Sequence, residues 1–282
     1  MIKIKIYHFF LITIIFYSCS GNKKTNSIKK EMNNRNQVIN LEFQTIIDSA
    51  KVDGAILVYD LQTDTYYSNN FTWANKERLP ASTFKIPNSI IALESGIVEN
   101  DSAIFKWNGE KRFLKVWEQD LIFRDAFRFS CVPCYQELAR KIGDERMNKY
   151  LTSLDYGNMR VDSINIDVFW LEGDSRISQF QQIDFLKRFY SSKLPISERT
   201  KIIMKSMIKI EERNQYKLSG KTGLSVTNKI YNGWFVGYIE SESKAYFFAT
   251  NIEPKYKFDF DIFIKKRKQV TIEALKELDI IK

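Results

Sequence analysis

One histidine occurs in the 282 residues, at position 8. If the segment around it is removed on export, the mature chain has no imidazole. That excludes Ser-His-Asp and Cys-His catalysis, together with the common histidine-bound metal sites. Acid–base chemistry must then rest on Lys, Asp, Glu, Tyr or something less usual. Cysteine is almost as scarce, with three in the chain. Cys131 and Cys134 fall short of the roughly four ligands a structural zinc wants, so no metal is expected. Their spacing on a helix brings them near one another, where an exported protein can oxidise them. The favoured reading is a pair of buried free thiols. Long apolar runs are missing too. The longest at the N-terminus, Phe9 to Phe16, is shorter than the ~20 residues a membrane span needs.

That run follows Lys3 and Lys5 and precedes the small residues Ser18, Cys19 and Ser20, the pattern of an export signal over residues 1–19. Cys19 is similar to the lipidated cysteine of bacterial lipoproteins, with plain cleavage as the other reading. Residues 20–40, polar as far as about Asn36, read as a tether without the apolar side chains to pack. No Gly-, Pro- or Ser-rich linker follows, so residues 41–282 read as one domain. The expected location is the periplasm, with membrane contact only through an N-terminal lipid.

The formal charge of +9 invites a nucleic-acid reading, but it is concentrated in the first forty residues. There Lys3, Lys5, Lys23, Lys24, Lys29, Lys30 and Arg35 face Glu31 alone, and the excess over the rest of the chain is spread out. This is an ordinary surface, and no nucleic-acid partner is expected.

Gly54–Asp60, Thr65–Ser68, Gly233–Ile239 and Ala245–Thr250 are short runs rich in β-branched and aromatic residues, and predict strands. Helical periodicity covers Ile86–Ile97, Pro133–Ile142, Ile183–Tyr190, Glu198–Ile208 and Val270–Leu278. The fold class is therefore α/β: an antiparallel sheet flanked by helices, its first and last strands paired, with a helical lobe inserted between them.

Within this frame, Ser82 and Lys85 lie three apart at a helix start, hence on one face. A serine hydroxyl needs a base, and without histidine Lys85 is the neighbouring candidate. The pattern alone is weak, since a helix cap followed by an exposed lysine reads the same way. Two further motifs add weight: Ser130 and Val132 in Phe129–Val132, and Lys221, Thr222 and Gly223 on a strand edge. Lys221 could bind a substrate carboxylate, and Gly223 would let a substrate backbone come close.

Ser-x-x-Lys, Ser-x-Val and Lys-Thr-Gly in that order resemble the penicillin-recognising serine enzymes. Tyr156-Gly157-Asn158, Phe169–Gly173, Ile177-Ser178, Tyr135–Gly143 and Gly233–Gly237 narrow the resemblance to the class D β-lactamases, the oxacillinases. It covers roughly residues 45–280. The resemblance implies that Ser82 attacks the β-lactam ring of penicillin-type antibiotics, giving resistance. In that family the motif lysine, here Lys85, takes up CO2 (or bicarbonate) as a carbamate general base, with no other cofactor. The need follows from lysine itself: at an ordinary pKa of ~10.4, using the neutral amine at pH 7 costs roughly 4–5 kcal/mol. Burial beside Phe84 and Val132 lowers that pKa, and Trp170 matches the tryptophan that donates to the buried carbamate.

By the same resemblance, Ser130 relays protons to the leaving nitrogen near Lys221. Backbone N–H groups of Ser82 and Leu224 form the oxyanion hole, and Thr222 lines the substrate site. Arg267 matches the family's carboxylate-binding arginine best, although the basic run around it also reads as a solvated surface. Tyr156 and Asn158 either shape the site or act chemically. Asn251–Ile264 matches the family poorly, which leaves substrate range open. Two rivals share the fold. A non-hydrolytic β-lactam sensor usually carries Asn where this chain has Val132, and a D,D-peptidase usually shows Ser-x-Asn at the second motif.

Overall fold

The computed structural model describes residues 35–255 and 258–282. The export signal, Cys19 and the tether up to residue 34 lie outside the described residues. Asn36–Lys282 forms one compact unit. It begins within the stretch read as a tether, residues 20–40. Asn36–Ile39 is a strand, β1, held by the Asn36 amide on Thr65 Oγ1 at 2.6 Å and by parallel pairing with Thr65–Ser68. A four-residue edge strand that buries almost none of its side chains is hard to see in a sequence, because its partner supplies the hydrogen bonds.

After α1 (Leu41–Ser49), capped by Asn40 accepting from the Phe43 N–H at 3.1 Å, the chain enters β2 (Val52–Asp60) and β3 (Thr65–Ser68). The other long strands close the chain's second half: β6 (Lys209–Glu212), β7 (Tyr216–Thr227), β8 (Ile230–Ser241) and β9 (Lys244–Pro254). A small pair, β4 (Ile104–Phe105) and β5 (Leu121–Ile122), lies apart from them. The seven-stranded sheet runs β1-β3-β2-β9-β8-β7-β6 and is antiparallel except at β1–β3, so it is mixed. The first and last long strands, β2 and β9, pair as expected, with Ala55 opposite Asn251. Two-residue turns with positive φ at both positions, Asn228-Lys229 and Glu242-Ser243, set the register of β7–β8 and β8–β9.

Strand alternation sends neighbouring side chains to opposite cores. Ile56, Val58, Phe235 and Phe248 bury against α1 and the last helix, α9 (Phe260–Glu277). Leu57, Tyr59, Trp234 and Val236 bury on the other face, beneath the helices inserted between β3 and β6. Those helices are α2 (Phe71–Asn75), α3 (Lys85–Glu94), α4 (Phe123–Arg128), α5 (Val132–Ile142), α6 (Asp144–Leu154), α7 (Gln179–Tyr190) and α8 (Glu198–Ile208). On α5 the residues Tyr135, Leu138, Ala139 and Ile142 form one buried stripe at helical spacing. Helix α9 begins ten residues before the expected Val270. Asp259 caps it by accepting from the Ile262 N–H at 2.9 Å, and the exposed lysines of its early turns give no apolar period to read. This extension places Arg267 on a helix.

Candidate active site

The three motifs arrive on three different elements. Ser82 sits in a 3-10 turn, Ala81–Phe84, that runs into α3. The preceding Ala81 is fully buried with φ +50°, a left-handed conformation that costs about 1–3 kcal/mol for a residue with a Cβ. Its surroundings hold it there. The Ala81 N–H donates to the Trp170 carbonyl at 2.8 Å, and the Trp234 indole N–H donates to the Leu79 carbonyl at 2.9 Å. Behind the turn, Thr83 Oγ1 donates to the Pro80 carbonyl at 2.7 Å and accepts from Gln182 Nε2 at 2.8 Å. Tyr156 OH completes the support by donating to Gln182 Oε1 at 3.2 Å. Burial pushes the Tyr156 phenol well above its ordinary value, so it stays neutral and serves as a hydrogen-bond donor. Of its two possible roles, this position favours shaping the site. Gln182 was not singled out from the sequence, although two glutamines, Gln179 and Gln182, on the buried face of α7 are a readable anomaly.

Lys85 is fully buried, and its Nζ donates to Ser82 Oγ at 3.2 Å. Burial alone pushes its ammonium down to about 7, which brings the free amine within reach near neutral pH. The Tyr135 ring faces it, with Nζ 4.8 Å from the ring centre. Tyr135 therefore joins the apolar wall expected of Phe84 and Val132. Phe84 itself is fully buried and stacks on Trp170 with ring centres 5.5 Å apart, while Val132 is half-buried at the start of α5. The Trp170 indole N–H is buried without an acceptor.

Ser130 lies between α4 and α5 with φ +55°, and its Oγ accepts a hydrogen bond from Lys221 Nζ. Lys221 Nζ also donates to the Thr222 carbonyl at 3.1 Å. Its ammonium is held well below the usual lysine range, first by burial and then by the charges of Lys85, Arg267 and Lys268. A cleft wall with so much positive charge favours an anionic ligand.

Strand β7 carries Lys221, Thr222, Gly223 and Leu224 past the Ser82 turn. A Cβ on Gly223 would lie 3.1 Å from both the Pro80 carbonyl oxygen and Thr83 Cγ2. The close approach that needs glycine is thus made by the protein's own Ser82 turn, where a substrate backbone was expected. Arg267 reaches the same strand: Nη1 donates to the Gly223 carbonyl at 2.7 Å, and Nε to the Ile264 carbonyl at 2.8 Å. Its stem crosses Gly233, where a Cβ would lie 2.8 Å from Arg267 Cγ and Cδ. Burial lowers its guanidinium to about 10, which leaves it charged at neutral pH. Asn158 sits farther out, exchanging backbone hydrogen bonds with Arg176 at 2.8 Å each and donating its side-chain amide to Glu77 at 2.6 Å.

The two cysteines correct an expectation. Cys131 and Cys134 form a disulfide rather than a pair of free thiols. Cys131 is the cap of α5, outside the helix proper, with φ −55° and ψ 101°. Within a continuous helix both Cβ atoms would tilt the same way; the extended cap turns the first back over the third helical residue. The Cα atoms stand 5.4 Å apart, within disulfide reach.

The site as a whole is a serine beside a buried lysine, with a second serine–lysine pair across it. The chain matches the penicillin binding protein transpeptidase domain over residues 32–268. Beta-lactamase OXA-10 of Pseudomonas aeruginosa is 39% identical over 233 residues, which cover 82% of this chain and 86% of that protein. Among solved structures, the class D β-lactamase YbXI from Nostoc superposes with a TM-score of 0.81 at 42% identity, covering 84% of this chain and 98% of that one. A class D β-lactamase from Sebaldella termitidis gives 0.84 at 36% identity, covering 88% and 100%. The chain belongs to the penicillin-binding transpeptidase family and, within it, to the class D β-lactamases. It is a serine β-lactamase, a hydrolase acting on a cyclic amide.

Proposed function

We propose that this protein opens the β-lactam ring of penicillin-type antibiotics through an ester on Ser82, with Lys85 carboxylated by CO2, and so gives resistance to them. The single observation that carries the mechanism is the setting of Lys85: fully buried, 3.2 Å from Ser82 Oγ, and driven by burial toward the neutral amine that adds CO2. The surrounding residues fit such a group, because the buried Trp170 N–H is an unused donor. Once formed, the carbamate supplies a general base for Ser82 and for the water that later attacks the ester.

The protein's own groups do the rest. Ser82 Oγ adds to the lactam carbonyl carbon, and the backbone N–H groups of Ser82 and Leu224 stabilise the oxyanion. As the carbon–nitrogen bond breaks, Ser130 passes a proton to the leaving nitrogen and is itself replenished from Lys221, which donates to its Oγ. Arg267, Thr222 and Lys221 hold the substrate carboxylate. Water then cleaves the ester and frees Ser82. We place the enzyme in the periplasm, exported by residues 1–19 and anchored by a lipid on Cys19.

The test is mass spectrometry of the full chain during turnover of benzylpenicillin, with activity followed across a bicarbonate series after CO2 removal at low pH. The expected result is a transient adduct on the peptide containing Ser82 and activity restored by bicarbonate. An adduct that persists would identify a sensor. Labelling elsewhere, or activity indifferent to bicarbonate, would overturn the mechanism.

A further inference from the structure

Ser130 is followed by Cys131-Val132-Pro133-Cys134, so the disulfide begins at the residue next to the proposed proton relay. Ser130 has φ +55°, a region that a residue with a Cβ leaves unless the flanking chain holds it. Upstream the restraint is conventional. Ser130 N–H donates to the Phe127 carbonyl at 3.1 Å, Cys131 N–H to the Ala126 carbonyl at 2.9 Å, and the Trp117 indole to the Phe129 carbonyl at 3.0 Å.

Downstream the restraint is unusual. The first turn of α5 is capped by Cys131, whose Sγ receives the Cys134 N–H at 3.2 Å. Sulfur is a weak acceptor, and cysteine is not among the favoured caps. What makes this cap firm is the covalent bond, which ties the residue after Ser130 to the third residue of the helix. Cys131 is 1% and Cys134 9% exposed, so the bond lies just beneath the surface. Both cysteines line a surface cleft of about 270 Å³, together with Trp117, Gln136 and Arg140.

We propose that the Cys131–Cys134 disulfide is a positioning clamp for Ser130, and that its reduction slows acylation selectively. A dithiol reductant delivers two electrons and two protons: the sulfur–sulfur bond breaks, Cys131 and Cys134 become thiols, and the reductant closes to its own disulfide. Ser130 is then free to leave its left-handed conformation and its contact with Lys221. Protonation of the leaving nitrogen slows, while ester hydrolysis, which does not use Ser130, continues. The inference rests on Ser130 as the proton relay.

The experiment measures single-turnover acylation by benzylpenicillin and, separately, decay of the preformed acyl-enzyme, on the full chain before and after dithiothreitol. Mass spectrometry after alkylation counts the thiols. Reduction should slow acylation about ten- to a hundredfold, the scale of a misplaced catalytic group, with acyl-enzyme decay changed less than twofold. The double variant Cys131→Ala with Cys134→Ala should start slow and ignore the reductant. Cys131→Ser with Cys134→Ala, which restores an oxygen cap without any disulfide, should recover part of the rate. Reduced enzyme acylating at the oxidised rate would overturn the clamp. So would equal losses in acylation and decay, or no difference between the Ala and Ser caps. If the oxidised enzyme fails to acylate at Ser82 at all, the proposed function fails instead.

Discussion

Two buried polar clusters flank the sheet's central strands, and they are finished very differently. Around Asn251, nearly every group has a partner. Asn251 and Asn232 exchange amide hydrogen bonds at 2.8 and 3.1 Å, Asn232 also donates to Glu253 at 3.0 Å, and the Trp73 indole donates to Asn251 at 3.0 Å. Arg78 closes the group with Glu253 at 3.3 Å, leaving Nη2 alone unused. Around Ser82 the opposite holds. Lys85 is buried and donates to Ser82 Oγ, and the Trp170 N–H has no acceptor. A satisfied buried network rigidifies a fold, whereas one left open costs stability until a ligand or a reaction completes it. The first cluster is scaffold, and the second is where chemistry is stored.

The sharpest way to break this comparison is Lys85→Met in CO2-free buffer. The folded-state pKa of Lys85 is depressed to about 7 from an ordinary 10.5, so burying it costs stability that is fully lost below pH 7 and regained as pH rises toward 10.5. Lys85→Met should therefore unfold with about 3–5 kcal/mol more free energy at pH 7. That advantage should fade as pH approaches 10.5, while turnover is abolished. A difference that does not vary with pH, in denaturant titrations, would show that Lys85 is not the stored cost.

Asn251→Ala should do the reverse, losing about 2–4 kcal/mol of stability by stranding the Asn232 and Trp73 donors. Its kcat per correctly folded molecule should hold, as active-site titration alongside calorimetry would reveal. Trp170→Phe removes one N–H and keeps a ring against Phe84. Half-saturation by bicarbonate should rise about ten- to a hundredfold, the worth of one hydrogen bond to a charged group. Stability without CO2 should change little, because relief of the unpaired N–H offsets the packing that the smaller ring loses. The smallest effect is expected for Arg267→Ala, a rise of about tenfold in KM for benzylpenicillin with kcat retained. An unchanged KM would leave Arg267 a structural tie between α9 and β7.

Much of this was legible in the chain because the relevant spacing is local. Ser82 and Lys85 are one helical turn apart, and Lys-Thr-Gly reads as part of a strand edge, so short-range geometry and the absence of histidine already pointed to a lysine-assisted serine. Helix α8 could be read end to end from its periodicity. What lay beyond reading depended on partners far along the chain. The hydrogen bond from Lys221 to Ser130 joins residues 91 positions apart, and Arg267 reaches Gly223 only because α9 starts early and Gly233 leaves room for its stem. The edge strand β1 exists because β3 offers it hydrogen bonds, and the disulfide forms because Cys131 caps a helix instead of lying within it. Most of all, the sequence names Lys85 but cannot say how far its pKa falls. Its charge is decided by desolvation, and desolvation belongs to the packed core around it.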